Sequence, residues 1–154
     1  MLYALLLAAA TTLAPVASST AAWLNAAHAP VTAGRVTVVD IFTFGCINCK
    51  HVTPELKHLR ASIPEDELAI VGVHAPETPY ERDRANVRDA LRDQNITWPV
   101  VIDNDFAIWK AYGVDAWPTQ LVFDRHGKLR ATYVGEGNDS ELEHSVRALI
   151  AERS

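Results

Sequence analysis

Apolar residues are arranged along the chain in two patterns: short continuous runs, and longer segments in which they recur every three or four positions. The first pattern is typical of strands buried on both faces, and the second of helices packed against a sheet. Together with the turn residues, these patterns predict strands at residues 37–44, 68–73, 100–102, 119–123 and 129–134, and helices at residues 46–61, 82–94, 105–112 and 140–151. Because strands and helices alternate along most of the chain, the predicted fold class is α/β.

Two connections complete this outline. Residues 124–128 read Asp-Arg-His-Gly-Lys, a turn signal that predicts a hairpin between the last two strands. Residues 23–30 show no clear periodicity, so we expect an irregular lead-in that includes a short edge strand.

The first 22 residues differ in composition from the rest. Residues 2–16 are apolar and rich in Ala and Leu, and residues 18–22 are small and polar, which is the order of a signal peptide and its cleavage region. The apolar run is shorter than a membrane-spanning helix requires, and no Lys or Arg precedes it, so the end of a longer anchor is the alternative. We therefore expect residues 1–22 to be a signal peptide or N-terminal anchor, residues 23–154 to form the domain, and the protein to be periplasmic or otherwise extracytoplasmic.

Length and charge restrict the number of domains and the class of partner. The chain has 154 residues and a formal net charge of −5. This length suits one domain with a full hydrophobic core, and the charge provides no basic footprint for nucleic acid. Arginine alternates with acids at residues 81–84, which predicts a solvated helix face. We expect a monomer that binds no nucleic acid.

The two cysteines of the chain, Cys46 and Cys49, follow the first long predicted strand at the point where a helix begins. Thiols at positions i and i+3 of a helix start lie on one face and can close a disulfide. The first thiol would lie at the positive end of the helix dipole, which favours the thiolate needed for thiol–disulfide exchange. The pattern therefore favours a redox-active pair.

Two other roles for the cysteine pair remain open. A purely structural disulfide would stabilise the protein little, because so short a loop removes little entropy from the unfolded chain. A zinc site needs about four ligands. With His51 as well as the two cysteines, the chain would supply only three ligands here. We therefore expect neither a metal nor a cofactor.

Three further features are unusual for their places in the chain. Asp40 lies inside an apolar run, where burying a carboxylate is costly unless it serves a purpose. Pro54 lies inside the first predicted helix, which it should kink. Far downstream, Trp117-Pro118-Thr119 directly precedes a predicted apolar strand.

This combination resembles the thioredoxin superfamily, in which a strand with a buried acid is followed by a CxxC sequence that opens a kinked helix, and later by a cis-proline facing the disulfide. Within that superfamily, the chain is similar to the extracytoplasmic TlpA/ResA-like group, and especially to the periplasmic thioredoxin-like domain of DipZ-type proteins. The stretches that carry the narrower resemblance are residues 23–25, 42–49, 73–77, 103–109 and 135–137. The sequence departs from the usual pattern at Thr43 and Gly45, where bulkier residues are common.

The resemblance implies a thioredoxin-like fold, in which a central mixed sheet is flanked by helices and carries the helix–strand insertion of TlpA-like members. The helix start would present Cys46 as the attacking thiol, with Cys49 as the resolving thiol. Asp40 would accept the proton of Cys49, and Pro118 would be cis and face the pair. The residues expected to contact a substrate are Trp117, Thr119 and the loop acid Glu77.

The predicted function is an exported thiol-disulfide oxidoreductase that reduces protein disulfides through a mixed disulfide and receives electrons from a membrane partner. The alternative is a thioredoxin-like chaperone for copper or another soft metal, held by Cys46, Cys49 and a histidine. A peroxidase is disfavoured, because Thr43 matches the peroxidase spacing but Val39 stands where a proline is expected.

Overall fold

The computed structural model describes residues 11–152, and within them the chain forms six strands and five α-helices. The strands are β1 (Trp23–Leu24), β2 (Val36–Phe42), β3 (Leu68–His74), β4 (Val100–Ile102), β5 (Thr119–Phe123) and β6 (Leu129–Val134). The helices are α1 (Ala14–Ala17), α2 (Ile47–Ser62), α3 (Arg84–Asp93), α4 (Ala107–Ala111) and α5 (Asp139–Ala151). Each strand and helix predicted from the sequence is present, and its ends differ from the prediction by at most two residues.

The strands form one mixed sheet in the order β1-β4-β3-β2-β5-β6. β2 runs parallel to β3, and β3 runs parallel to β4, whereas β1, β5 and β6 are antiparallel to their neighbours. All seven residues of β2 are buried, as expected of a central strand with both faces covered. The fold class is therefore α/β with a mixed sheet flanked by helices, as predicted.

Helices cover both faces of this sheet. Because successive side chains of a strand point to opposite faces, Val38 and Val39 of β2 enter different apolar clusters. The cluster around Val38 includes buried residues of α2, α3 and α5, such as Leu56 and Val146. The cluster around Val39 includes Ile108 of α4 and residues that precede β1. This arrangement fixes the start of α2, and with it the cysteine pair, at the carboxyl end of β2.

The segment before α3 differs from its prediction. The sequence predicted a solvated helix from residue 82, but a 3₁₀ turn, Pro79–Arg82, comes first and α3 begins at Arg84. The break has local causes. Asp83 caps α3 by accepting hydrogen bonds from two backbone N–H groups, and Thr78 and Glu81 form a capping box around the turn. The capping box draws the Glu81 side chain inward, so the prediction that this run is solvated is wrong for Glu81, which is buried.

The described part of the amino-terminal segment packs on the domain. Leu13 and Val16 are buried in the cluster that contains Ile108 and Phe123, and Thr12 forms an isolated bridge with Lys128. Residues 1–10 lie outside the described residues, and the prediction of a signal peptide or anchor over residues 1–22 stays a prediction. Among residues 11–152, no helix combines the length and apolar character needed to cross a membrane.

Candidate active site

The sulfur of Cys46 lies at the amino-terminal end of α2. Cys46 is the N-cap residue, in an extended conformation, and its Sγ accepts a hydrogen bond of 3.2 Å from the backbone N–H of Cys49. The side chain is partly exposed. The unpaired N–H groups and the dipole of a 16-residue helix therefore converge on an accessible sulfur.

Cys49 lies one turn further along α2 and is only 5% exposed. Both cysteines are free thiols in this structure. Burial, the hydrogen bond with Cys46, and then the negative charges of Cys46 and Asp40 hold the pKa of the Cys49 thiol far above its ordinary value. The pair is therefore asymmetric: one sulfur is accessible at the helix start, and the other is buried and protonated.

Asp40 is buried in the middle of the sheet, as its sequence context predicted. Burial raises the pKa of its carboxyl to about 6, although a hydrogen bond from the Gln120 side chain acts in the opposite direction. Because its charge contributes to the raised pKa of Cys49, the carboxylate and the thiol interact electrostatically. Sequence reasoning did not identify Gln120, whose partner lies 80 positions away in the chain.

The Trp117–Pro118 peptide bond is cis. The Trp117 indole N–H donates a 2.9 Å hydrogen bond to the carbonyl of Ala75, and the partly buried ring packs, like Cys46, against the cluster that includes Cys49. Thr119 is buried, and its hydroxyl donates a 2.8 Å hydrogen bond to the carbonyl of Ala116. The Thr119 side chain therefore supports the fold, and the contact of Thr119 with a substrate stays a prediction.

The loop acid that reaches the cysteine loop is Glu81 and not Glu77. The Glu77 side chain is exposed, and only its backbone N–H takes part, as a donor to Glu81. The Glu81 carboxylate also accepts a 3.2 Å hydrogen bond from the N–H of Gly45, the residue before Cys46. Contact of the exposed Glu77 side chain with a substrate stays a prediction. The capping-box pattern of Thr78 and Glu81 was the sequence signal that could have identified the inner acid.

His74 supports the same loop from the end of β3. Its Nε2 accepts a hydrogen bond of 3.3 Å from the N–H of Phe44 and lies 3.3 Å from the hydroxyl of Thr43. Burial lowers the pKa of His74 to about 4, although the charge of Glu81 acts in the opposite direction, so the ring is neutral near pH 7. The phenyl ring of Phe44 stacks on it, with ring centroids 5.5 Å apart. A histidine at the end of an otherwise apolar strand was the available sequence signal.

Comparisons with known proteins agree with this arrangement. A model of the Redoxin family matches residues 9–150. The protein SUPPRESSOR OF QUENCHING 1, chloroplastic, of Arabidopsis thaliana is 35% identical over 83% of this chain, which spans 12% of that protein. Protein DipZ of Mycobacterium tuberculosis is 32% identical over 76% of this chain, which spans 17% of that protein. The chain therefore corresponds to less than a fifth of the length of these two relatives.

Similarity over nearly the full length is also found. The thiol-disulfide oxidoreductase YkuV of Bacillus subtilis is 28% identical over 85% of this chain and 89% of its own length. The crystal structure of a thioredoxin-like superfamily protein superposes with a TM-score of 0.77 at 27% identity, and the match covers 86% of this chain and 93% of the other. The fold is accordingly thioredoxin-like. With an accessible and a buried cysteine at a helix start and a family match over most of its length, the chain belongs to the Redoxin family, in the TlpA/ResA-like group of the thioredoxin superfamily.

Proposed function

We propose that this protein is a thiol-disulfide oxidoreductase that reduces disulfides of other proteins outside the cytoplasm. The observation that carries the proposal is the asymmetry of the cysteine pair. Cys46 is accessible and accepts a hydrogen bond at the helix start, whereas Cys49 is buried one turn away. One sulfur is thus suited to attack a substrate, and the other to release it.

In the proposed reaction, the Cys46 thiolate attacks one sulfur of a substrate disulfide. A new disulfide forms between Cys46 and the substrate, and the second substrate sulfur leaves as a thiolate and is protonated. Cys49 then loses its proton and attacks Cys46. The Cys46–Cys49 disulfide forms, and the first substrate sulfur leaves as a thiol. Two electrons have passed from the cysteine pair to the substrate, and a reducing partner must restore the pair.

The buried carboxylate makes the second step plausible in physical terms. The hydrogen bond and the charge of Cys46 are among the causes that hold the Cys49 pKa high. Both are lost once Cys46 is bound to the substrate, so Cys49 becomes easier to deprotonate at that point. With its pKa raised to about 6, Asp40 is mostly ionised at pH 7 and can accept the proton.

The surface around the cysteines suits a protein substrate with an extended apolar segment. Three of the large apolar side chains that are most exposed in the described part of the chain border this site: Ile47 at 63%, Tyr80 at 67% and Val134 at 55%. Ile47 follows Cys46, Tyr80 packs against Phe44, and Val134 pairs with the residue after Pro118. Pro118 and Trp117 are proposed to contact the substrate between these side chains.

Export and a membrane electron donor belong to the same proposal, as does a monomeric state. The apolar residues before residue 11 are proposed to belong to the signal or anchor. Because Leu13 and Val16 pack in the core, we propose that any cleavage occurs before residue 11. Fractionation followed by amino-terminal sequencing tests this. A cytosolic protein with reduced thiols would contradict export, and a mature end at residue 23 would contradict the proposed position of the cut.

The metal-chaperone alternative gains no support from the arrangement. A soft-metal site would need a third ligand beside Cys46 and Cys49. His74 uses its Nε2 to hold Phe44, and His51 pairs with Glu136. Among residues 11–152, the group of three side chains with metal-ligand spacing is Glu55, His58 and Glu143, which contains neither cysteine.

The direct test uses the reduced protein and insulin as a disulfide substrate. Reduction of insulin should accompany loss of both free thiols and formation of the Cys46–Cys49 disulfide, measured by mass spectrometry after alkylation. Cys46→Ser should abolish the reaction. If wild-type protein leaves insulin oxidised but binds Cu(I) through both cysteines, the oxidoreductase proposal is wrong and the chaperone alternative is right.

A further inference from the structure

Glu81 holds together two segments that meet behind Cys46. One carboxylate oxygen, Oε1, accepts a 3.2 Å hydrogen bond from the N–H of Gly45. The other, Oε2, accepts hydrogen bonds of 2.6 and 3.0 Å from the N–H groups of Glu77 and Thr78. The side chain is only 4% exposed. A buried carboxylate thus connects the turn before Cys46 to the segment between β3 and α3.

Gly45 leaves the space that this carboxylate occupies. A Cβ atom at position 45 would lie 2.3 Å from Oε1 of Glu81, far inside the contact distance of two atoms. No residue with a side chain fits there unless the carboxylate moves. The departure from the family pattern at Gly45 therefore has a structural cause: a charged oxygen from the segment between β3 and α3 takes the place of the side chain before the first cysteine.

The carboxylate remains ionised in this setting. Burial acts to raise the pKa of Glu81, but hydrogen bonds from the backbone of Glu77 and Thr78, with smaller contributions from Thr43 and His74, outweigh it and hold the pKa below its usual value. His74, a second buried ionisable side chain against this loop, is neutral near pH 7. A negative charge therefore lies behind the residue that precedes Cys46, and His74 does not neutralise it.

We propose that Glu81 is a positioning residue for the redox pair, and that its charge makes the pair more strongly reducing. It ties Gly45 in place and so fixes where α2 begins and where Cys46 lies. A negative charge close to Cys46 disfavours the thiolate, hence the reduced dithiol form, and favours the disulfide. This inference rests on the proposed function, and it names a residue that favours reduction of the substrate over its oxidation.

Glu81→Gln tests the charge, because the side chain keeps its size. Alkylation of Cys46 at pH 7 should become faster, because a nearby negative charge no longer opposes the reactive anion. The equilibrium constant with glutathione should move toward the dithiol by about tenfold, which corresponds to a potential about 30 mV less negative. Glu65→Gln is the matched control, because it removes the same charge from an exposed site after the far end of α2. If Glu81→Gln and Glu65→Gln both behave like the wild type, the proposal is wrong.

A double-mutant cycle tests the contact independently and covers the case in which Glu81→Gln folds poorly. Gly45→Ala should destabilise the wild type strongly, and the Glu81→Ala variant much less, because the alanine methyl then enters the vacated space. The Gly45→Ala/Glu81→Ala protein should also show the less negative potential. Equal destabilisation in both backgrounds, or a wild-type potential in the double variant, would overturn the proposal. Failure of the wild-type pair to exchange with glutathione at all would instead overturn the proposed function.

Discussion

Asp40 and Gln120 face each other where β2 pairs with β5, and the Gln120 side-chain amide donates a 2.8 Å hydrogen bond to the Asp40 carboxylate. One neutral donor only partly offsets the burial of a charge, which leaves the pKa of Asp40 at about 6. The protein thus keeps a base that titrates near neutral pH where it interacts with the resolving thiol.

Asp40→Asn should stabilise the protein at pH 8 by about 1–3 kcal/mol, because the variant no longer buries a charge. A raised pKa means that the folded state holds the proton more tightly, so the cost of Asp40 is fully present above about pH 6 and disappears near pH 4. The gain measured by urea unfolding should therefore vanish near pH 4. Asn can still accept the hydrogen bond from Gln120, so the geometry should persist.

Asp124→Asn is the matched control for the sign of this effect. Asp124 is also buried, but hydrogen bonds from Lys128, Arg130 and His126 outweigh burial and hold its pKa below the usual value. The substitution should therefore destabilise the protein at pH 7.

Asp40→Asn should in addition slow release of the mixed disulfide near pH 7, measured by stopped-flow after the first attack. Unchanged stability together with unchanged release would show that Asp40 is solvated and uninvolved.

Single-cysteine variants should separate the roles of the two thiols. Cys49→Ser should accumulate a mixed disulfide with a substrate through Cys46, because the resolving thiol is missing. Cys46→Ser should trap almost nothing, because Cys49 is buried and its pKa is high. Non-reducing electrophoresis followed by mass spectrometry identifies the linked cysteine. Trapping mainly through Cys49 would reverse the assignment.

His74→Gln should make stability less sensitive to acid. The pKa of His74 is lowered to about 4 in the folded state, so the unfolded state binds a proton first as the pH falls below the ordinary histidine value of about 6.5. The free energy of unfolding of the wild type should therefore fall as the pH drops from about 6.5 to 4, and the variant should lack this part of the decrease. The measurement is the slope of unfolding free energy against pH. Exposed His126→Gln is the control, and an equal change of slope in both variants would contradict the explanation.

Val16→Ala should destabilise the protein by about 2 kcal/mol, because two buried methyl groups are removed from a side chain that packs in the core. Val16 is only 1% exposed, whereas Val31 is 74% exposed. Val31→Ala should therefore leave the midpoint of chemical unfolding nearly unchanged. If the two substitutions have equal effects, the segment containing α1 does not contribute to the folded domain.

The sequence alone determined the features that depend on neighbouring residues. The buried run of β2, the cysteine pair at the start of α2 and the hairpin turn after β5 were each predicted within two residues. Strand and helix periodicity, turn chemistry and thiol spacing are local properties, so one stretch of chain is enough to reveal them. Burial of Asp40 was also predicted, because an acid inside a continuous apolar run has few other places to lie.

Only the tertiary structure decided which distant side chains meet at the cysteines. Gly45 and Glu81 are 36 positions apart, and Asp40 and Gln120 are 80 positions apart, so neither contact leaves a periodic signal in the sequence. The resemblance pointed to Glu77, because the loop that carries it is recognisable. A capping box then turned Glu81 inward and left Glu77 in solvent. The position of the redox pair was therefore predictable from the sequence. The side chains around it were not, because they depend on the register between strands and on how the segment between β3 and α3 folds.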